Sequence, residues 1–133
     1  MSNKNKTQEF RNSVLDKYDK RCAYCGTDLH GTFHLDHFIP KRRYTKTHYE
    51  LVEMGLIEKK ERGKDIFENY MPCCQSCNSS KSDLSIEEFR DRIYDRIVRL
   101  NKNSGEYNIA KRFGLIIEVN KPIIFHFEKY TNG

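Results

Sequence analysis

The strongest constraint on this chain is a spacing that occurs twice. Cys22 and Cys25 stand in "CAYCG", and Cys74 and Cys77 stand in "CCQSCN". A Cys-x-x-Cys turn lets both sulfurs meet one ion, and two such turns complete a tetrahedral thiolate site for zinc. The competing reading is a redox motif at one pair and chance at the other. Four thiolate ligands close the coordination sphere, so such a zinc is structural and not catalytic. The pairs are far apart in sequence, and a shared ion would clamp distant segments together. That matters in a chain whose charged residues, at 32%, nearly equal its hydrophobic ones, at 37%, and which has no Trp; a core this lean gains from a metal staple. Cys73 is left over as a buried or partly exposed free thiol; it could displace Cys74 as ligand, but the x-x spacing favours Cys74.

At 133 residues the chain fits a single domain spanning 1–133. Its net charge of +5 is a mild bias toward polyanionic partners. The polar opening "MSNKNKTQEF" lacks the pattern of a secretory signal, and no apolar run reaches transmembrane length, so a cytosolic location without a membrane partner is expected. Residues 1–6 read as a disordered tail. Phe10, Val14 and Tyr18 mark a helix over Thr7–Tyr18, and a second helix is expected from about Thr47 to Met54. In "LSIEEFRDRIYDRIVRLN", Ser85 and Glu88 form a capping box, and Ile86, Phe89, Ile93, Ile97 and Leu100 share one face. "NKNSGEYN" reads as a loop. "FGLIIEVNKPIIFHFEKY" reads as a C-terminal β-hairpin turning at Asn120 to Pro122.

The segment "HLDHFIP", His34 to Pro40, has strand-like composition yet carries two histidines and an aspartate. A carboxylate beside an imidazole suits hydrolysis: Asp36 can hold a hard cation while neutral His37 takes a proton from water. On a strand the two would point to opposite faces, so a twist or bulge is needed to bring them to one opening. His34 either orients Asp36, touches phosphate, or is an ordinary polar strand residue. Downstream, the amide oxygen of Asn78 can join Asp36 on a Mg²⁺-like ion, Lys81 can reach a phosphate oxygen, and Asn69 can tie a loop to the strand. Taken singly, each of these is more often a cap or a solvated side chain. "KRRYTK", with Lys41, Arg42 and Arg43, follows the strand directly and offers phosphate contacts or simply a solvated face.

The combination of "CAYCG", "LDHFIP" and "ENYMPCCQSCNSSKSD", in that order, resembles the HNH family of metal-dependent nucleases over about residues 21–83. The resemblance implies an α+β fold with a ββα-metal, treble-clef-like core and a zinc-knuckle staple; the flanking helices and residues 84–133, read from the residues as a helix and hairpin extension, lie outside the resemblance. It implies His37 as general base, Asp36 and Asn78 as ligands of a catalytic Mg²⁺ or Mn²⁺, and Asn69 as the asparagine that orders the catalytic loop. Asn78 stands where the family often has His, as in its HNN variant; oxygen ligands favour Mg²⁺ or Mn²⁺ over Zn²⁺. The implied activity is hydrolysis of DNA phosphodiesters, probed through the minor groove of double-stranded DNA, with one strand nicked per site and 5′-phosphate and 3′-hydroxyl ends. No base-reading constellation is visible, so low sequence specificity is expected. Double-strand cuts would need a homodimer or two encounters, and the resemblance is to proteins that serve phage packaging, homing or restriction, which implies a partner from a phage or restriction system. The alternative from another class is a non-catalytic, zinc-stapled nucleic-acid-binding module.

Overall fold

The computed structural model describes residues 6–42 and 45–130. Of the tail expected at 1–6, residues 1–5 lie outside the described residues, as does the candidate phosphate contact Arg43. The protein is mixed α+β, with five α-helices and one two-stranded antiparallel sheet among the described residues.

Strand β1 (His34–His37) pairs with β2 (Tyr70–Cys73) in the register His34↔Cys73, Leu35↔Pro72, Asp36↔Met71 and His37↔Tyr70. A proline in a ladder is tolerated only where its missing N–H is not needed. Here the Pro72 carbonyl accepts from Ala23 N–H at 2.8 Å, so that residue's backbone edge faces the Cys22–Cys25 turn and not β1. The sheet is covered on both faces, which is why Leu35, Asp36 and every residue of β2 are buried.

Helix α1 (Gln8–Leu15) is N-capped by Thr7, whose hydroxyl accepts from Phe10 N–H. Its Val14 is fully buried, and Phe10 meets the Tyr70 ring edge-on at 5.4 Å. Lys17, in the 3-10 turn that follows, donates to the carbonyls of Phe67 and Tyr70 and ties the helix end to β2. Helix α2 (Lys46–Glu53) forms close to its expected bounds and buries no residue. Helix α3 (Gln75–Lys81) follows β2 after a single residue, Cys74, which is its N-cap.

Helix α4 (Ile86–Asn103) begins with the expected capping box: Ser85 Oγ accepts from Glu88 N–H, and Glu88 accepts from Ser85 N–H. Only the first half of its apolar stripe is covered. Phe89 is buried and Ile86 and Ile93 pack on the core, whereas Ile97 and Leu100 stay exposed.

Two expectations about the C-terminal region are corrected. "NKNSGEYN" is not a loop: α4 runs to Asn103, and Ser104 caps a further helix, α5 (Gly105–Arg112), by accepting from Tyr107 N–H. A serine ahead of a helical stretch outweighed the Asn and Gly content. The C-terminal hairpin is also absent among the described residues. In the first of the two runs, Glu118 is held by Tyr107, Asn101 and Lys111, while Leu115, Ile117 and Val119 remain exposed. The second run docks elsewhere, through His126 N–H to Tyr24 O and Phe127 N–H to Ala23 O, and ends in a 3-10 turn, His126–Tyr130. Phe125 and Phe127 join Tyr24 and Phe89 in one aromatic cluster, so burial of those rings beats strand pairing. Arg90 secures the segment through the Ile123 carbonyl and the Glu128 carboxylate.

Candidate functional site

The Cys22–Cys25 turn is built by backbone hydrogen bonds, Cys22 N–H to Thr27 O and Gly26 N–H to Cys22 O. Gly26 adopts a left-handed φ of +78° there, a conformation that favours glycine. Cys74 and Cys77 sit on the first turn of α3, where Cys77 N–H points at the Cys74 sulfur. The four sulfurs all lie within 4.8 Å of one another, and Cys25 Sγ is 3.8 Å from Cys74 Sγ. Thiolates about 2.3 Å from a central zinc stand roughly 3.8 Å apart on a tetrahedron, so the cluster fits the ion. A hydrogen bond from Cys77 draws the Cys22 thiol down, and the same bond pushes the Cys77 thiol up. This four-cysteine cluster can hold a metal ion such as zinc. Cys73 lies outside it, fully buried on β2, with burial pushing its thiol well up.

At the other end of the sheet, Asp36 is buried. Its Oδ2 accepts from Tyr24 Oη at 2.5 Å and from Lys81 Nζ at 3.0 Å. Lys81 also donates to the His37 carbonyl and is completely buried. Burial raises the Asp36 carboxyl above the usual range, and the Lys81 charge and the Tyr24 hydroxyl pull against that rise. The expectation of a phosphate contact at Lys81 is therefore corrected: its ammonium is spent inside the fold on Asp36 and the end of β1. Asn78, one turn before Lys81 on α3, is half-buried.

His37 closes β1 with its side chain 17% exposed. Its Nε2 lies 2.7 Å from Asp65 Oδ1, which also accepts from Tyr70 Oη at 2.9 Å. Lys41 reaches the other oxygen, Asp65 Oδ2, at 2.7 Å. Hydrogen bonds from Lys41 first, then His37, hold the Asp65 carboxyl well below the usual carboxylate range. Burial, then the bond to Asp65, pushes the Tyr70 hydroxyl up to about 12. Sequence reasoning placed no role on Asp65; its only signal was an acid four positions ahead of Asn69 in a charged stretch.

Asn69 behaves as a loop tie. Its Oδ1 accepts from Ile39 N–H, and its Nδ2 donates to the carbonyls of Ile39 and Lys64. These bonds lace the chain after β1 to the chain before β2. Gly63 lies in the same lacing. A β-carbon there would stand 1.6 Å from the Ile39 carbonyl oxygen, so the two backbones approach too closely for any side chain. Gly63→Ala is expected to force the 60–66 loop away from β1 at a cost of roughly 1–3 kcal/mol, the range for overpacking. Urea unfolding would measure the loss, and an unchanged midpoint would refute the close approach.

The basic stretch after β1 is partly neutralised. Lys41 is paired with Asp65, and Arg42 and Lys60 both lie near Glu88, at 3.7 and 3.3 Å. Arg42 and Lys60 flank an open, largely apolar cleft with Phe38, Pro40 and Ile86. No helix among the described residues is long and apolar enough to cross a membrane.

No protein-family model, curated protein or solved structure matches this chain.

Proposed function

We propose that the protein is a metal-dependent endonuclease of the HNH type, acting on DNA, with a structural zinc in the four-cysteine cluster and a treble-clef-like strand–strand–helix core. The observation that supports the reading is the sequence of Asp36 and His37 at one end of a two-stranded sheet whose following helix begins in the cysteine cluster, Asp36 held by Tyr24 and Lys81 and His37 by Asp65. A buried carboxylate next to an imidazole tethered by its Nε2 is a costly arrangement for a surface that only binds. In this reading Asp36 and Asn78 would hold Mg²⁺ or Mn²⁺. Both hydrogen bonds to Asp36 fall on Oδ2, so Oδ1 is the atom a cation would take. When bound, the cation would supply positive charge against the phosphate and the departing oxygen.

His37 would accept a proton from a water molecule. The water oxygen forms a bond to phosphorus as the bond to the 3′ oxygen breaks, and the 3′ oxygen takes a proton from solvent. The products are 5′-phosphate and 3′-hydroxyl ends. Asn69 would keep the chain around His37 in place, and Lys81 would hold the end of β1 from beneath. Lys41 and Arg42, which follow β1 closely in the chain, would contact the DNA backbone. A single site would nick one strand of a duplex, with low sequence specificity.

One observation favours a second reading, a zinc-stapled nucleic-acid-binding module. The Lys81 ammonium already neutralises Asp36, which weakens its pull on a divalent cation. Supercoiled-plasmid cleavage separates the two. The zinc-loaded protein is expected to nick in Mg²⁺ or Mn²⁺, and His37→Ala to lose at least roughly 100-fold, the lower bound for removing a general base. Retarded DNA without cleavage by either protein would favour the binding module. Equal cleavage by both would remove His37 from the mechanism.

A further inference from the structure

The geometry points to Asp65 as the positioning residue for His37: its carboxylate takes the Nε2–H hydrogen bond, fixes the ring's tautomer and plane, and leaves Nδ1 as the nitrogen able to accept a proton. This rests on the nuclease reading for its catalytic meaning, whereas the contact from which the tautomer is inferred does not depend on that reading.

An ionised carboxylate has only lone pairs to offer, so the 2.7 Å contact from His37 Nε2 to Asp65 Oδ1 requires the proton on Nε2. Asp65 cannot turn away from that duty easily. Tyr70 Oη donates to the same oxygen and Lys41 Nζ occupies the other. The imidazole is confined in turn by the Tyr70 ring, 4.6 Å away between centroids, while the His37 backbone is pinned by Lys81 and by the ladder to Tyr70. The imidazole makes no other hydrogen bond among the described residues, so Nδ1 is left for water.

The bland alternative is that Asp65 merely ties its loop down through Lys41. Nitrogen-15 spectra of the His37 ring in the zinc-loaded full chain, at a pH where the imidazole is neutral, tell these apart. The wild type is expected to show the proton on Nε2, and Asp65→Ala to show a mixture or the Nδ1–H form. Lys41→Ala removes the loop's ion pair but not the bond to Nε2, and is expected to keep the wild-type tautomer. A folded Asp65→Ala with unchanged ring signals would overturn the assignment. So would an Nδ1–H signal in the wild type, which settles the matter even if the variant does not fold. In steady-state cleavage, Asp65→Ala is expected to lose about 100-fold in kcat with KM little changed; Asp65→Asn, which keeps an acceptor oxygen, is expected to recover part of that loss. A wild type with the Nε2–H tautomer that fails to cut DNA supports the positioning and sinks the nuclease reading instead.

Discussion

Zinc added to the reduced, metal-free chain is expected to bind at one ion per molecule and to turn a loosely ordered chain into one that melts cooperatively. The sulfurs it would join belong to segments 49 positions apart, Cys25 and Cys74. Around them the fold is organised by the same contact: Ala23 N–H bonds to β2, and the C-terminal segment docks on Ala23 and Tyr24. Loss of the turn would release both segments. Structural zinc sites contribute on the order of 10 kcal/mol or more, comparable to the whole stability of a typical domain. Strong chelation should therefore abolish the melting transition, and Cys77→Ser should behave like the chelated chain. Cys73→Ser serves as the control, since that thiol is buried but lies outside the cluster; it should leave zinc stoichiometry unchanged. A chelated chain that melts at the wild-type temperature would remove the metal from the account of the fold.

The next largest effect is expected at Lys81. Removing one partner of a buried ion pair leaves the other charge uncompensated, at a cost of about 3–5 kcal/mol. Lys81→Ala strands the Asp36 carboxylate with Tyr24 alone and also frees the His37 carbonyl. The penalty should depend on pH, with a sign fixed by Asp36. Its folded-state carboxyl already stands above the ordinary value of 3.8, chiefly through burial, and losing the ammonium raises it further. A raised acid binds more protons folded than unfolded, so stability is best kept below the unfolded value and is lost as pH rises through the folded one. The variant should lie closest to the wild type near pH 4 and fall behind it toward neutrality. Lys81→Met combined with Asp36→Asn removes both charges and should recover most of the loss. Denaturant titrations at two pH values would measure both trends. Equal destabilisation at both values would mean that the Asp36 charge is not what Lys81 compensates.

The elements that were legible in advance are those written in local chemistry. The capping box of Ser85 and Glu88, the helix stripe of Phe10 and Val14, and the strand at "HLDH" depend on residues within a turn of each other. Where distant residues competed, local reading failed. "FGLIIEVNKPIIFHF" has the composition of a hairpin, yet Phe125 and Phe127 bury their rings beside Tyr24 and Phe89, from which no short window of sequence can see them. Lys81 looked like a phosphate ligand because it follows Asn78 by one turn. Its burial depends on where α3 lies relative to β1, a packing outcome.

What the sequence determined by itself is the pairing of its two cysteine turns. The Cys-x-x-Cys spacing dictates that two sulfurs share one neighbourhood, and tetrahedral valence calls for a second pair. It likewise supplied an acid and an imidazole at consecutive positions, Asp36 and His37. Only the tertiary structure decided what those two side chains meet. It placed Lys81 and Tyr24 on Asp36, and Asp65 on His37 from 28 positions away. Such contacts are set by how loops close over the sheet, here through Asn69 and the bare backbone of Gly63, and loop closure joins residues whose proximity no local spacing encodes.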